Sequence, residues 1–210
     1  VVSDASGSRI ADVKVFTGIT PADDGLLHLH LSSNKSRGLL NGIEIVPDAA
    51  GLMHPVRIVA GGSPRITAGE KLWHPDRYFR GGRKVTRTNA ILGTAEPDLF
   101  KGERHGNFVY TIPVVRGNYR VTVWFAERYF GLSNPGGGGT GSRVFNVNCG
   151  ERALLKNFDI YKEAGGENRA IGKTFRGIDP NPQDKLVLSF VPVRNYACVN
   201  AIEIMPDTQP

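Results

Sequence analysis

The chain is poor in cysteine, which limits the kinds of small stabilised site it can build. Its 210 residues include only two cysteines, Cys149 and Cys198. Two are too few for a disulfide framework or for a cysteine-based zinc site. We expect two buried free thiols, while a single bridge between them stays open, because sequence alone does not fix a pairing.

Long hydrophobic runs are missing as well. No apolar stretch approaches the roughly 20 residues that cross a bilayer, so we expect no membrane segment. The sequence shows no charged-then-apolar leader and begins at Val1. We therefore expect a processed form or an excised part of a larger protein, with any targeting signal outside it.

Clusters of positive charge are absent, although the chain is basic overall. Lys and Arg total 26 against 20 Asp and Glu, which gives a formal net charge of +6. The basic residues are scattered, with no run of five or more, and this argues against nucleic acid as a partner. The excess charge attracts polyanions only weakly and leaves acidic polysaccharide open as a ligand.

The sequence also lacks helical periodicity, and its apolar residues instead predict short strands. The 26 glycines and 13 prolines interrupt the chain too often for long helices. Alternating apolar runs separated by Gly/Pro turns are typical of an all-β sandwich or barrel. The predicted strands are residues 26–31, 107–113, 119–125, 143–148, 185–190 and 199–204.

The run 119–125 gives the clearest strand pattern. Val121, Val123 and Phe125 share one face at a spacing of two residues, so we expect them in the core, together with Ile202 and Ile204. Gly117 and Asn118 separate this run from the strand before it, which predicts a β-hairpin.

An internal repeat organises the whole chain. Residues 11–48 align without gaps with residues 170–207, and 14 of the 38 positions are identical. The alignment predicts that residues 1–48 are the C-terminal part of a preceding copy, 49–55 a linker and 56–207 a complete domain. Apolar strands without their own domain must fold back on the complete one or join a neighbouring chain. We expect the second outcome, and with it a homo-oligomer formed through this fragment.

From Val56 onward the chain resembles the bacterial type of the malectin family of carbohydrate-binding domains. The most specific motif is the run Phe125-Ala-Glu-Arg-Tyr-Phe130. The other motifs, in family order, are residues 56–62, 73–76, 78–82, 97–100, 103–104, 108–113, 143–147, 158–160 and 201–204. The resemblance implies a two-sheet jelly-roll-like β-sandwich. It also implies a non-catalytic module for oligo- or polysaccharide, glucose-containing or another glycan, in a larger glycan-active or surface protein. Such a module is expected outside the cell, in the periplasm or on the cell surface.

Aromatic side chains at the loops are the candidate ligand contacts, because sugar rings pack C–H patches on flat rings. Tyr129 and Phe130 follow the strand 119–125 and match the aromatic pair of the family. His105 stands where the family has a tyrosine, and Asn195 where it has an acidic ligand residue, with Tyr196 adjacent. A further set could either contact the sugar or brace a loop: Trp73, Asp76 and Tyr78.

Other chemistry finds little support in the residues. His28 and His30 share a strand face, but no third metal ligand is in view, so we expect no metal site. The run 136–141 matches G-x-G-x-x-G, but a strand pattern and not a helix follows it, so we expect a loop, no nucleotide and no cofactor. Two alternatives to the neutral sugar binder stay open. One is an acidic-polysaccharide binder that uses Arg104, Arg128 and Arg194, and the other is a spacer or protein-interaction module without sugar affinity.

Overall fold

Short strands make up nearly all of the regular structure. The computed structural model describes residues 13–16, 18–19, 22, 26–32, 39–46, 55–68 and 71–207. Twelve strands lie in this part of the chain: β1 (Val56–Val59), β2 (Arg65–Thr67), β3 (Lys71–Trp73), β4 (Phe79–Thr86), β5 (Gly102–Pro113), β6 (Tyr119–Phe125), β7 (Val144–Cys149), β8 (Arg152–Phe158), β9 (Ile171–Ile178), β10 (Lys185–Arg194), β11 (Ala197–Val199) and β12 (Ala201–Pro206). A 3-10 turn (Pro97–Phe100) and the five-residue helix α1 (Ile160–Ala164) are the only helical elements in the described residues.

Two antiparallel sheets form a β-sandwich, as the strand pattern and the family resemblance predict. The first sheet has the order β1-β12-β6-β9. The second has the order β11-β5-β10-β7-β8, with β4 paired to β5, and β2 and β3 form a separate ribbon. The buried core joins both sheets, since Phe125 of β6 lies 5.8 Å, between ring centroids, from Phe145 of β7.

The predicted core face of the first sheet is confirmed. Val121, Val123, Phe125, Ile202 and Ile204 are all fully buried. The second sheet supplies the facing layer through alternate residues of its two central strands: Phe108, Tyr110, Ile112, Leu186, Leu188 and Phe190. The period of two along each strand thus places one side of each sheet in the common core.

The predicted hairpin between β5 and β6 is wrong. The two strands follow each other in the chain, but β5 pairs with β4, β10 and β11, whereas β6 pairs with β9 and β12. The turn carries the chain from one sheet to the other, and the hydroxyl of Tyr119 donates to the carbonyl of Val115 across it. A Gly-Asn turn signal is local and cannot tell a hairpin from such a crossing.

Asn200 forms the corner through which the chain passes back between the sheets. It separates β11 in the second sheet from β12 in the first and is fully buried. Its side-chain oxygen accepts from the backbone N–H of Ala126 (2.8 Å), and its nitrogen donates to the carbonyl of Gly102 (2.9 Å). Because both polar ends are bonded, burial of the amide carries little penalty.

The two cysteines are free thiols. Cys198 is buried, as expected, and burial raises the pKa of its thiol well above the usual value. Cys149 is only half-buried, and partial burial raises its pKa too. Among the described residues, no helix is long and apolar enough to cross a membrane.

The predicted strand at residues 26–31 is wrong for this chain. Residues 26–32 and 39–46 contain no strand, and all of them are exposed. A strand needs a hydrogen-bonding neighbour, and the equivalent positions in the sandwich are filled by the chain's own β9–β12. Of the predicted linker 49–55, all but Pro55 lies outside the described residues.

Candidate functional site

A cavity opens on the second sheet where β5 changes partners. Its volume is about 320 Å³, and it is lined by Gly82, Arg83, His105, Gly106, Asn107 and Tyr196. The rings of His105 and Tyr196 meet edge to face, with centroids 5.8 Å apart. Tyr196 is 61 % exposed, so its ring is available to a ligand that enters the cavity.

Pairing between β5 and two different strands creates this cavity. Residues 104–106 of β5 pair with β11, whereas residues 108–113 pair with β10. On the opposite edge, the register with β4 shifts between Gly81 and Arg83. Gly106 and Gly82 both have positive φ, and a Cβ on Gly106 would lie 3.1 Å from the Cα of Gly82. A side chain at either glycine would therefore crowd the close approach of β4 and β5 beside the cavity.

Asn195 and Tyr196 lie in the turn between β10 and β11. Asn195 adopts a left-handed conformation with φ of +57°, which asparagine tolerates better than most residues. Its Nδ2 donates to the carbonyl of Ser142 at 2.6 Å. The turn that presents Tyr196 is thereby tied to the loop before β7.

Tyr129 and Phe130 form a second aromatic group at the end of β6. Their rings meet edge to face at 5.0 Å, and Tyr129 is 39 % exposed. The buried Glu127 fixes both residues, because its Oε1 accepts from their two backbone N–H groups at 3.0 Å each. The carboxylate thus orients the aromatic pair through the main chain.

Arg143 connects the two aromatic groups. Its Nε donates to Glu127 Oε2 at 2.6 Å, and its Nη1 donates to the backbone carbonyl of Tyr196 at 2.5 Å. The guanidinium also lies 5.3 Å from the ring centroid of Phe130. One buried arginine therefore holds Tyr196, Phe130 and Glu127 at the same end of the sandwich.

Further charges lie beneath this surface and shape its protonation. The carboxylate of Glu103 is buried 3.5 Å from Arg87, whose guanidinium lies 5.1 Å from the ring of Tyr129. Burial raises the pKa of Glu103, against the opposing effect of Arg143 and Arg87. Partial burial, followed by the charges of Arg143 and Arg87, lowers the pKa of His105 below 6.5. The lowered pKa favours the neutral imidazole of His105, which can both donate to and accept from a hydroxyl group.

Trp73 and Asp76 lie away from the cavity lining and brace the sandwich. Trp73 is buried and donates from Nε1 to Thr67 Oγ1 at 3.1 Å. Asp76 accepts from Arg104 at 2.6 Å and from the hydroxyl of Tyr110 at 2.7 Å. These contacts match the bracing alternative that the sequence left open for both residues.

Tyr78 is also absent from the cavity lining. It is half-buried with a left-handed φ of +65°, and the guanidinium of Arg77 lies 4.8 Å from its ring. The structure brings together the other five predicted contacts, namely His105, Tyr196, Asn195, Tyr129 and Phe130, through Arg143, Glu127 and Ser142.

Two of the three arginines that the acidic-polysaccharide alternative uses are buried and bonded inside the sandwich. Arg104 pairs with Asp76 and is stacked on Phe79. Arg128 is fully buried and donates to backbone carbonyls, among them those of Phe100 and Asn89. Arg104 and Arg128 are therefore not available for the acidic-polysaccharide alternative, whereas Arg194 is exposed.

Sequence reasoning missed Arg83, Glu127 and Arg143. Glu127 carried a detectable signal, because a carboxylate two residues before an aromatic pair at a strand end can accept the backbone N–H groups that the strand leaves unpaired. Arg83 carried none, since its place beside the cavity depends on the pairing of β4 with β5. Arg143 begins the motif 143–147, but its bonds to Glu127 and Tyr196 join distant parts of the chain and cannot be predicted from sequence.

Comparison with known proteins agrees with the sandwich. Residues 55–182, more than half of the chain, match the malectin domain. The chain belongs to the malectin domain family. In the structure the malectin sandwich continues through β10, β11 and β12, which complete both sheets. No curated protein matches the sequence.

Several solved structures share the malectin fold. A β-glucuronidase 2 of Bacteroides uniformis is 18 % identical over 74 % of this chain and 18 % of its own, with a TM-score of 0.60. The plant receptor-like kinase FER is 25 % identical over 73 % of this chain and 43 % of its own, with a TM-score of 0.59. The ANX2 ectodomain from Arabidopsis thaliana is 19 % identical over 73 % and 42 %, with a TM-score of 0.59. The chain thus spans less than half the length of each of these structures.

Proposed function

We propose that the chain is a non-catalytic carbohydrate-binding module that holds an oligo- or polysaccharide in the His105–Tyr196 cavity. The observation that carries the proposal is the exposed ring of Tyr196 beside His105 in an open cavity of about 320 Å³. Aromatic faces suit the C–H patches of pyranose rings, and hydroxyl groups need polar partners close by. Neutral His105 and Asn107 supply such partners in the cavity.

The composition of the cavity supports binding over hydrolysis. Glycosidases use a pair of carboxyl groups beside the bond that they cleave. None of the described residues that line the cavity is Asp or Glu. The nearby carboxylates of Glu103 and Glu127 are buried, and they form ion pairs with Arg87 and Arg143 that stabilise the fold.

The family and the proteins in which similar folds occur support a proposal for the wider role. A related fold occupies about a fifth of a bacterial β-glucuronidase and part of a plant receptor ectodomain. This chain is accordingly proposed to be an accessory part of a larger glycan-active or surface protein, placed outside the cell or in the periplasm. Its ligand is a glucose-containing oligosaccharide or another glycan.

Substitution of Tyr129 tests whether the second aromatic group, Tyr129 and Phe130, contributes to sugar binding. Tyr129→Ala should weaken binding of the preferred oligosaccharide by roughly 1–3 kcal/mol, because a partly exposed ligand-facing ring is lost. Titration calorimetry measures the change. Leu132→Ala is the matched control, since Leu132 is 90 % exposed in the loop that follows, and it should bind as the wild type does. Equal affinities of the Tyr129 variant and the wild type would remove Tyr129 from the site.

A second candidate ligand, an acidic glycan, is favoured by Arg83. Arg83 is exposed, lines the cavity and pairs with no carboxylate of the described residues. A uronic-acid carboxylate in the cavity could accept a charge-assisted hydrogen bond from it. This arrangement replaces the acidic-polysaccharide contacts that Arg104 and Arg128 cannot make.

Arg83→Gln separates the two ligands. If the ligand is acidic, the variant should lose about 1.5–3 kcal/mol of affinity for a uronic-acid oligosaccharide and keep its affinity for the neutral analogue. Binding of the acidic sugar to the wild type should also weaken as salt is added. Calorimetry with both sugars at low and high salt checks this. An equal loss of affinity for both sugars would show that Arg83 does not bind a sugar carboxylate.

A further inference from the structure

The outward side of the second sheet carries small and polar side chains that line up across its strands. Val109 of β5 lies between the buried Phe108 and Tyr110, so it faces away from the core. Ser189 of β10 lies opposite Val109, and Asn148 of β7 lies opposite Ser189. The Nδ2 of Asn148 donates to Ser189 Oγ at 3.4 Å, so these two side chains share the outward side.

Arg80 extends this line to the edge of the sheet. It lies opposite Val109 in β4, which pairs only with β5 among the described strands. We call Arg80, Val109, Ser189 and Asn148 the cross-strand row. Neighbouring strands lie about 4.8 Å apart, so the row spans about 14 Å from β4 to β7. Arg80 is exposed and the other three members are half-buried, so a ligand can contact the whole row.

The cross-strand row begins next to the cavity. Asn107 lines the cavity and lies two residues before Val109 in β5, a separation of about 7 Å along the strand. Arg83 also lines the cavity and follows Arg80 in β4. The cavity and the row therefore share two strands, and a chain that leaves the cavity along this face meets the row.

The charge of this surface is positive and unbalanced. Arg80 and Arg83 form no ion pair with a carboxylate of the described residues, since Asp76 and Glu103 are bound by other arginines. No member of the cross-strand row is Asp or Glu. An anionic ligand therefore meets two unpaired guanidinium groups and no negative charge from the row.

Protection of an edge strand does not explain these two arginines. Edge strands often carry cations or bulges that prevent other strands from pairing with them. In β4 the backbone already provides this protection, because the register shifts after Gly81, and Gly81 and Gly82 have left-handed φ of +79° and +67°. The same irregularity makes β4 a poor template for an added peptide strand, which favours a glycan as the occupant.

We propose that the cross-strand row binds the continuing chain of a linear acidic polysaccharide, one sugar of which lies in the cavity. This inference rests on the proposed function and on the acidic form of its ligand. Arg80 donates charge-assisted hydrogen bonds to a carboxylate outside the cavity, as Arg83 does within it. Ser189 and Asn148 bond hydroxyl groups farther along the chain. The surface thus selects the interior of a long chain over a short oligosaccharide.

Chain length provides the first test. The probes are the dimer and the octamer of one uronic acid, together with the carboxyl-reduced form of each, and titration calorimetry measures their affinities. The wild type should bind the octamer about tenfold or more tightly than the dimer, because one charge-assisted hydrogen bond contributes about that factor. The reduced pair should show a much smaller gain. No gain with length, or an equal gain for the reduced pair, would overturn the proposal.

Arg80→Gln shows whether the row causes the gain. The variant should bind the dimer as the wild type does and lose about tenfold in affinity for the octamer. Arg120→Gln is the matched control, because Arg120 lies between the buried Tyr119 and Val121 of β6, on the outward side of the first sheet. This control should keep the gain. A gain retained in Arg80→Gln, or an equal loss in both variants, would overturn the proposal.

Backbone amide spectra separate failure of this proposal from failure of the proposed function. The octamer should shift the amide signals of Ser189 and Asn148, whereas the dimer should shift only signals around the cavity, such as those of His105 and Tyr196. Cavity shifts with both probes but none at Ser189 or Asn148 would overturn the inference and leave the proposed function standing. Absence of cavity shifts with every probe, charged or reduced, would contradict both.

Discussion

Glu127→Ala should lower the free energy of unfolding by about 3–5 kcal/mol. The carboxylate is fully buried and pairs with Arg143 at 2.6 Å, so its removal leaves a buried guanidinium without its counter-charge. The same change frees the backbone N–H groups of Tyr129 and Phe130. Binding at the second aromatic group should therefore weaken even at temperatures where the variant stays folded.

Chemical denaturation of Glu127→Ala beside a surface control measures this effect. Glu163→Ala removes an ion pair with Lys173 that is partly exposed to solvent, and such surface pairs contribute about 0–1 kcal/mol. The two variants delete the same side chain, so their difference reports burial and hydrogen bonding. Equal destabilisation would mean that Glu127 does not organise this end of the sandwich.

Phe125→Ala should cost about 3–5 kcal/mol of stability, the range for a large aromatic removed from a packed core. Phe125 is fully buried, and its ring centroid lies 4.9 Å from that of Phe158 and 5.8 Å from that of Phe145.

Denaturant unfolding of Phe125→Ala and of Leu132→Ala checks this expectation. The exposed Leu132 should tolerate the change within about 0.5 kcal/mol. A small effect at Phe125 would contradict the packing of β6 against the second sheet.

Alternation in sequence predicts which side of a strand faces the core but not which strands are neighbours. Val121, Val123 and Phe125 were predicted correctly, because a period of two is encoded within seven residues. The hairpin prediction at Gly117-Asn118 is wrong, since a crossing between sheets uses the same local residues as a hairpin.

At the site too, sequence predicts which residues are candidates but not which of them lie together. Aromatic character and loop position pointed to Tyr129, His105 and Tyr196, but only the pairing of β11 with β5 brings the last two together. Trp73 could not be assigned from sequence, because its bracing contact with Thr67 depends on the β2–β3 ribbon.

Tyr196→Ala is the most direct test of carbohydrate binding in the cavity. The side chain is mostly exposed, and Arg143 bonds only its backbone carbonyl, so the variant should fold normally. A glycan array first identifies the best ligand of the wild type, and titration calorimetry then compares the two proteins. The account predicts a loss of about tenfold or more in affinity. Unchanged affinity of Tyr196→Ala for that glycan, or a wild type that binds no glycan, would contradict it.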